Sequence, residues 1–281
     1  MFDLIVANYN NEKFLKEFFE SIINSTLQPN KVIFVDDCST DNSLHVVENY
    51  INEGKITILL IKNLENKGFA YSLNIALENV SSPYFARLDP DDYVKSNRFE
   101  LQLIFLKKNS HYDMIGTNII YVLNGEEKNV SNVETNENNV KRSIIDGYLP
   151  IIHGSIMGKS VILKDFKYNA NLVPAEDYDL FAYLINSGFR ITNIKEALTF
   201  VNIHEISVSN DLHFSTINKR YDTCYKYFGV SKNILSRYLE YKHQYYYRKY
   251  LFVYTPMRYW NLFISSLLNP KKVVNRLIRK N

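Results

Sequence analysis

Val32-Ile33-Phe34-Val35-Asp36-Asp37-Cys38-Ser39-Thr40-Asp41 decides the fold of this chain. Four consecutive apolar residues, three of them β-branched, read as a strand buried on both faces. Two carboxylates end it, and Ser39, Thr40 and Asp41 offer side-chain oxygens of the kind that cap a helix. Leu44, Val47 and Ile51 then recur at helical spacing. The same unit stands on either side. Leu4 to Ala7 is a short strand, and Phe14, Leu15, Phe18, Phe19, Ile22 and Ile23 follow with a helical period. Ile56 to Ile61 is a third strand, and Ala70, Leu73, Ala76 and Leu77 mark a third helix. Tyr84-Phe85-Ala86 then leads into Asp89-Pro90-Asp91-Asp92. Strands alternating with helices predict a doubly wound, mostly parallel α/β sheet, whose ligands bind beyond the carboxyl ends of the strands. The acidic clusters fall at those ends.

Further along, residues 97–108 read as a helix, 113–122 as a strand and 124–139 as a polar loop. Ile151 to Gly158 reads as a strand and Glu176 to Ile185 as a helix. Arg190 to Ile194 and Leu198 to Ile203 read as extended. Two regions result: a sheet domain over 1–210, and a mostly helical, aromatic and basic region over 211–281.

Composition narrows the function classes. With 46% hydrophobic and 22% charged residues in 281, the chain can build a packed core and is not disordered. Two cysteines cannot make a disulfide framework and suit a reducing compartment. The opening residues show no secretory leader, so a cytoplasmic protein is expected. Of 33 basic residues, nine follow Glu240, where no acidic residue occurs. The first 240 residues hold the other 24, against all 30 acidic ones. An acidic body argues against nucleic acid as a partner, and the basic end prefers something anionic.

Three carboxylates within four residues, Asp89, Asp91 and Asp92, repel one another unless a cation or hydrogen bonds offset them. Hard cations such as Mg²⁺ or Mn²⁺ bridge such carboxylates to substrate phosphates. A solvated Asp-Pro turn is the plainer explanation. The Asp36-Asp37 pair is compatible with capping alone, or with a carboxylate that accepts from a base or a ribose. Glu176-Asp177 opens a helix, where acidic residues favour the dipole; a general base is the functional alternative.

Taken together, the order and spacing of these elements resemble glycosyltransferase family 2, the inverting nucleotide-sugar transferases of the GT-A fold. The elements are Val6-Ala7-Asn8-Tyr9-Asn10, Val35 to Asp41, Asn66-Lys67-Gly68-Phe69-Ala70 with Asn74, Leu88 to Asp92, His153-Gly154-Ser155, and Glu176 to Leu180. The resemblance covers about residues 1–210 and implies roles for particular residues. Ala7, Asn8 and Tyr9 stand where the family's first strand meets the base, although Ala7-Asn8 departs from its usual Pro-Thr. Asp37 would hold the base, and Lys67-Gly68 would close over the nucleotide. Asp89 and Asp91 would share the ribose. Asp92, with Asp91 and His204, would bind Mn²⁺ or Mg²⁺. Asp177 would be the catalytic base, and Glu176 and His153 would line the acceptor side. The implied reaction moves a sugar from a nucleotide-diphosphate sugar, UDP by family frequency, to a hydroxyl of a glycan or lipid-linked glycan in surface-polysaccharide assembly. A catalytically inactive nucleotide-sugar-binding module is the alternative.

The C-terminal segment crowds Tyr238, Tyr241, Tyr245, Tyr246, Tyr247, Tyr250, Tyr254 and Tyr259 among Arg248, Lys249 and Arg258. Pro256, Arg258 and Asn261 interrupt its apolar stretch, so no spanning helix is expected. Basic and aromatic residues mixed in this way suit peripheral contact with anionic lipid through residues 241–281, at the inner face of the cell membrane. Packing on the sheet domain or on a second subunit is the alternative.

Overall fold

The computed structural model describes residues 1–203, 212–252 and 257–270. Strand and helix alternate as β1 (Phe2–Asn8), α1 (Glu12–Ile23), β2 (Lys31–Asp36), α2 (Ser43–Glu53), β3 (Ile58–Lys62), α3 (Phe69–Glu78) and β4 (Tyr84–Arg87). A short β5 (Tyr93–Val94), α4 (Arg98–Lys108), β6 (Met114–Leu123), β7 (Glu126–Val130) and α5 (Glu137–Ile145) follow. The remaining elements are β8 (Met157–Lys159), α6 (Glu176–Asn186), β9 (Ile191–Ile203), α7 (Phe214–Phe228), α8 (Ile234–Phe252) and α9 (Met257–Leu268).

One sheet runs β3-β2-β1-β4-β8-β6-β9-β5, with β7 also on β6. The ladders β3-β2, β2-β1, β1-β4 and β6-β9 are parallel and carry most of the register. β8 lies antiparallel between β4 and β6. The strand direction changes beside β4, the kind of position where open α/β sheets bind ligands, and the chain there carries Arg87 to Asp92.

The unbroken apolar runs follow from burial on both faces. Along β1, Leu4 and Val6 join Phe18, Phe19, Phe34 and Phe99 on one side. Ile5 and Ala7 join Leu73, Phe181 and Leu184 on the other. Each such buried aliphatic or aromatic side chain contributes about 1.5–3 kcal/mol by leaving water. α7 shares the second core through Ile217, Tyr221 and Cys224, so the region after residue 210 begins packed on the sheet domain. α8 and α9 lie against each other, with buried His243 Nδ1 next to Ser265 Oγ at 2.9 Å.

Three expectations change. The segment read as a polar loop contains β7, antiparallel to β6. Its residues Glu126-Glu127-Lys128-Asn129-Val130 lack alternation because it is an edge strand with little to bury. The strand expected over Ile151 to Gly158 is a 3-10 turn, His153–Ser155, followed by β8. The two extended segments after Arg190 form one strand, β9, with register shifts against β6. Among the described residues, no helix is long and apolar enough to cross a membrane.

Candidate functional site

The carboxyl ends of β1, β2 and β4 meet the N-termini of α1, α2, α3 and α6. At the β1–β2 end the polar side chains brace the loops. Asn8 is buried and donates to Asp36 Oδ1 at 2.8 Å. Asp36 also accepts from Ser39 Oγ at 2.6 Å and Ser39 N at 2.9 Å. The expected capping takes a reciprocal form. Asp41 accepts from Ser43 N at 3.0 Å and Glu12 N at 2.9 Å, while Glu12 accepts from Asn42 N at 3.1 Å. Two helix starts thus satisfy each other's free N–H groups. Ala7 lies buried beside Asn8, and Tyr9 exposes 46% of its surface. Of the three residues expected near the base, Tyr9 is the one with an open ring.

Asp37 is buried at the end of β2 and receives three donors. Lys67 N and Asn63 Nδ2 reach Oδ1 at 2.9 and 2.7 Å, and Gly68 N reaches Oδ2 at 2.7 Å. The carboxylate therefore ties the loop before α3 to the end of β2. Gly68 has φ +89°, a conformation open to glycine without strain. The Lys67 ammonium pairs with Glu65 at the surface.

The acidic turn after β4 is built around two buried arginines. Arg87 pairs with Asp89, and Arg98 donates to the Arg87 carbonyl at 2.8 Å and to Gln102 at 3.1 Å. Burial lowers the Arg98 guanidinium to about 9 even against the opposing charge of Asp92. Asp92 Oδ1 accepts from Asn202 N at 3.1 Å, and Asn202 Nδ2 donates to the Asp91 carbonyl at 2.7 Å, so β9 closes over the turn. Asp92 stands well above the carboxylate range because burial and the neighbouring Asp91 and Asp89 all oppose its charge.

Gly154, in the 3-10 turn, faces this cluster. A Cβ there would lie 3.1 Å from Asp89 Oδ2, 3.5 Å from Arg87 Nη1 and 3.7 Å from Asp92 Oδ2. Two carboxylates and a guanidinium thus border one small space that glycine leaves open. Among the described residues, no group of three or more His, Cys, Asp or Glu side chains could hold a metal ion. His204 lies outside the described residues.

The acidic pair of α6 faces the same arginine. Glu176 is buried, its Oε2 has no hydrogen-bond partner, and its carboxyl is raised to about 7 by burial and then by Asp177. Asp177 Oδ1 accepts from Tyr178 N at 2.6 Å. Burial raises Asp177 above the usual carboxylate range, and the charges of Arg220, Arg87 and Arg248 offset only part of that rise. Arg220 and Arg248 lie on α7 and α8, so the charges of the C-terminal helices reach Asp177. His153 is buried, its Nε2 2.8 Å from Tyr168 Oη; desolvation and the Arg87 charge hold it well below the usual imidazole range.

Sequence reading overlooked Arg87, Arg98, Asn63 and Tyr168. Arg87 left one usable signal, a charge closing the strand Tyr84-Phe85-Ala86 directly before the acidic turn. Arg98 looks like any helix-surface charge, and Tyr168 stands in an irregular stretch with no pattern.

The chain is similar to known proteins in both sequence and structure. The family model for glycosyl transferase family 2 matches residues 3–166. EpsE of Bacillus subtilis, named as a glycosyltransferase, is 33% identical over 198 residues, covering 69% of this chain and 70% of its own. TarS residues 1–349 of S. aureus, solved in complex with UDP-GlcNAc, align with a TM-score of 0.65 at 19% identity, over 98% of this chain and 89% of that one. The mannosyltransferase PcManGT of Pyrobaculum calidifontis, solved with GDP-Man and Mn²⁺, aligns with a TM-score of 0.58 at 17% identity, over 95% and 73%. The fold is therefore the GT-A fold, and the chain belongs to glycosyl transferase family 2 as a glycosyltransferase.

Proposed function

We propose that this glycosyltransferase moves a sugar, with inversion and with a divalent cation, from a UDP-sugar to a hydroxyl of a glycan or lipid-linked glycan. The observation that carries the proposal is the convergence of Asp89 and Asp92 over Gly154, with Arg87 linking that space to Glu176-Asp177. TarS, a structural neighbour, was solved with UDP-GlcNAc, which supports the nucleotide assignment. PcManGT was solved with Mn²⁺, which supports a cation.

Two carboxylates, short of a three-ligand cluster among the described residues, would suit Mn²⁺ or Mg²⁺ only with substrate oxygens completing the shell. The donor set is all oxygen, and two converging carboxylates leave further positions for water and phosphate oxygens. Asp92 and Asp89 would hold the ion, with Asp91 beside them, and the ribose would then fall to Asp91. When bound, the ion supplies neutralisation of the diphosphate leaving group.

The remaining roles belong to the chain. Arg87 holds Asp89 in place and presents a fixed buried charge on the leaving-group side. Asp177 accepts the proton from the acceptor hydroxyl as that oxygen attacks the anomeric carbon. The charges of Arg220, Arg87 and Arg248 favour its ionised form against the cost of burial. Glu176 Oε2, buried and without a partner, hydrogen-bonds an acceptor hydroxyl. His153, neutral and fixed by Tyr168, backs this side.

The test incubates the enzyme with UDP-glucose or UDP-GlcNAc, Mn²⁺ and soluble glycoside acceptors, and reads the product's anomeric configuration by NMR. A product opposite in configuration to the donor is expected. Retained configuration overturns inversion, and turnover that survives Asp177→Asn undiminished overturns the base.

A further inference from the structure

α9 carries an apolar face that nothing among the described residues covers. Met257, Trp260, Phe263 and Leu267 lie along one side of the helix at spacings of three, three and four residues. Trp260 is 57% exposed, Phe263 50% and Leu267 68%, and Trp260 stacks on Phe263 with ring centroids 5.4 Å apart. The opposite side is occupied, since Ser265 is fully buried against His243 of α8. Ile234, Leu235, Tyr238 and Leu239 of α8 are exposed as well, whereas on the sheet domain large apolar side chains such as Leu64 are far from this group in the chain. A contiguous exposed stripe marks an interaction site.

The charge around the stripe says what covers it. Residues 241–281 hold nine basic and no acidic side chains, whereas the 240 residues before them have an acidic excess. The cations nearest α9 lie over aromatic rings. Arg258 is 5.0 Å from the Tyr250 ring centroid and 5.6 Å from that of Tyr259, and Lys249 is 4.5 Å from that of Tyr245. Tyr and Trp rings beside long basic side chains are the residue types that settle at the boundary between lipid headgroups and acyl chains. A membrane-spanning role is not open to these helices.

We infer that α9 docks in the surface of an anionic phospholipid bilayer. Trp260, Phe263 and Leu267 enter the headgroup–acyl boundary, and the net positive charge that the sequence gives 241–281 attracts the lipid phosphates. Apolar burial and charge attraction act together, so each is required for firm attachment. α8, which supplies Arg248, packs against α9 through His243 and Ser265, so docking of α9 would bring the Asp177 side towards the bilayer.

Trp260 is the single tryptophan of the chain, so its fluorescence reports on this helix alone. The full-length protein is mixed with phosphatidylcholine vesicles, or with vesicles in which about a quarter of the lipid is phosphatidylglycerol, at about 0.1 M salt. Anionic vesicles are expected to shift Trp260 emission to the blue and to pellet at least about tenfold more protein than zwitterionic ones. Raising salt to about 0.5 M should lower that binding about tenfold. The double variant F263S/L267S, which keeps the reporter, should also bind about tenfold less, while Leu64→Ser behaves as wild type. Emission unmoved by anionic vesicles overturns the inference, as does equal pelleting of the double variant and wild type. A blue shift that follows protein concentration without lipid also overturns it, because a second copy then covers the stripe.

Discussion

Replacing Glu176 by glutamine should stabilise this protein, and more so as pH rises. The residue is 8% exposed, its Oε2 has no partner, and Asp177 adjoins it. Its carboxyl is raised from 4.5 to about 7, first by desolvation and then by the neighbouring charge. The folded state therefore binds a proton that the unfolded state releases near 4.5. Stability falls as pH climbs from that value towards 7, opposite to a salt-bridged carboxylate. At about 1.4 kcal/mol per pKa unit, the full penalty approaches about 3.5 kcal/mol above pH 8. Glutamine keeps the shape and carries no charge, so it escapes the penalty. The variant's advantage over wild type should grow by about 2 kcal/mol between pH 5 and pH 8. Urea unfolding at the two pH values measures this difference directly, and removing the Glu176 charge also eases Asp177, in the same direction. An advantage that stays flat across that range, or reverses, would refute the claim that Glu176 is buried without a compensating partner.

Other expectations follow from the same geometry. Asp177→Asn should keep nucleotide affinity within about threefold and lower transfer by about 10²–10⁴, the usual worth of a general base, in matched binding and turnover assays. Gly154→Ala places a methyl 3.1 Å from Asp89 Oδ2. It should leave the melting temperature nearly unchanged while weakening the Mn²⁺-dependent part of nucleotide binding about tenfold. Asp37→Ala strips partners from Lys67 N, Gly68 N and Asn63 Nδ2. Chemical unfolding should show a loss of about 3 kcal/mol, and the loop before α3 should lose hydrogen-exchange protection first.

The first four strands and first three helices were legible because β1, β2 and β4 are buried on both faces and read as apolar runs, and β3, partly exposed at the sheet edge, still carries Ile58 to Ile61 as one. β7 was not, since an edge strand of Glu126-Glu127-Lys128-Asn129-Val130 buries too little to leave an alternating pattern. Ile151 to Gly158 misled for a different reason: its apolar residues serve a buried turn and the start of a three-residue strand. In the candidate site, the acidic clusters were visible as local runs, but their joining was not. Gly154 meets Asp89 because β8 runs back beside β4, a pairing across some seventy residues of chain. Arg87 and Arg98 are the sharpest example. A buried arginine is stabilised by partners distant in sequence, and no local pattern announces it. Asp37 shows the converse: its position after β2 was evident, but its three loop donors came only with the folded chain.

The central claim is that the acidic turn facing Gly154 helps to hold a nucleoside diphosphate with a divalent cation. Thermal stability against a panel of nucleoside diphosphates, each with and without Mn²⁺, tests it most directly. At about 100 times its dissociation constant a ligand stabilises by about 2.7 kcal/mol, a clear rise in melting temperature. The account predicts a Mn²⁺-dependent rise with UDP that Asp92→Ala abolishes. A folded protein that shows no rise with any nucleotide, or a UDP effect unchanged by Asp92→Ala, would contradict it.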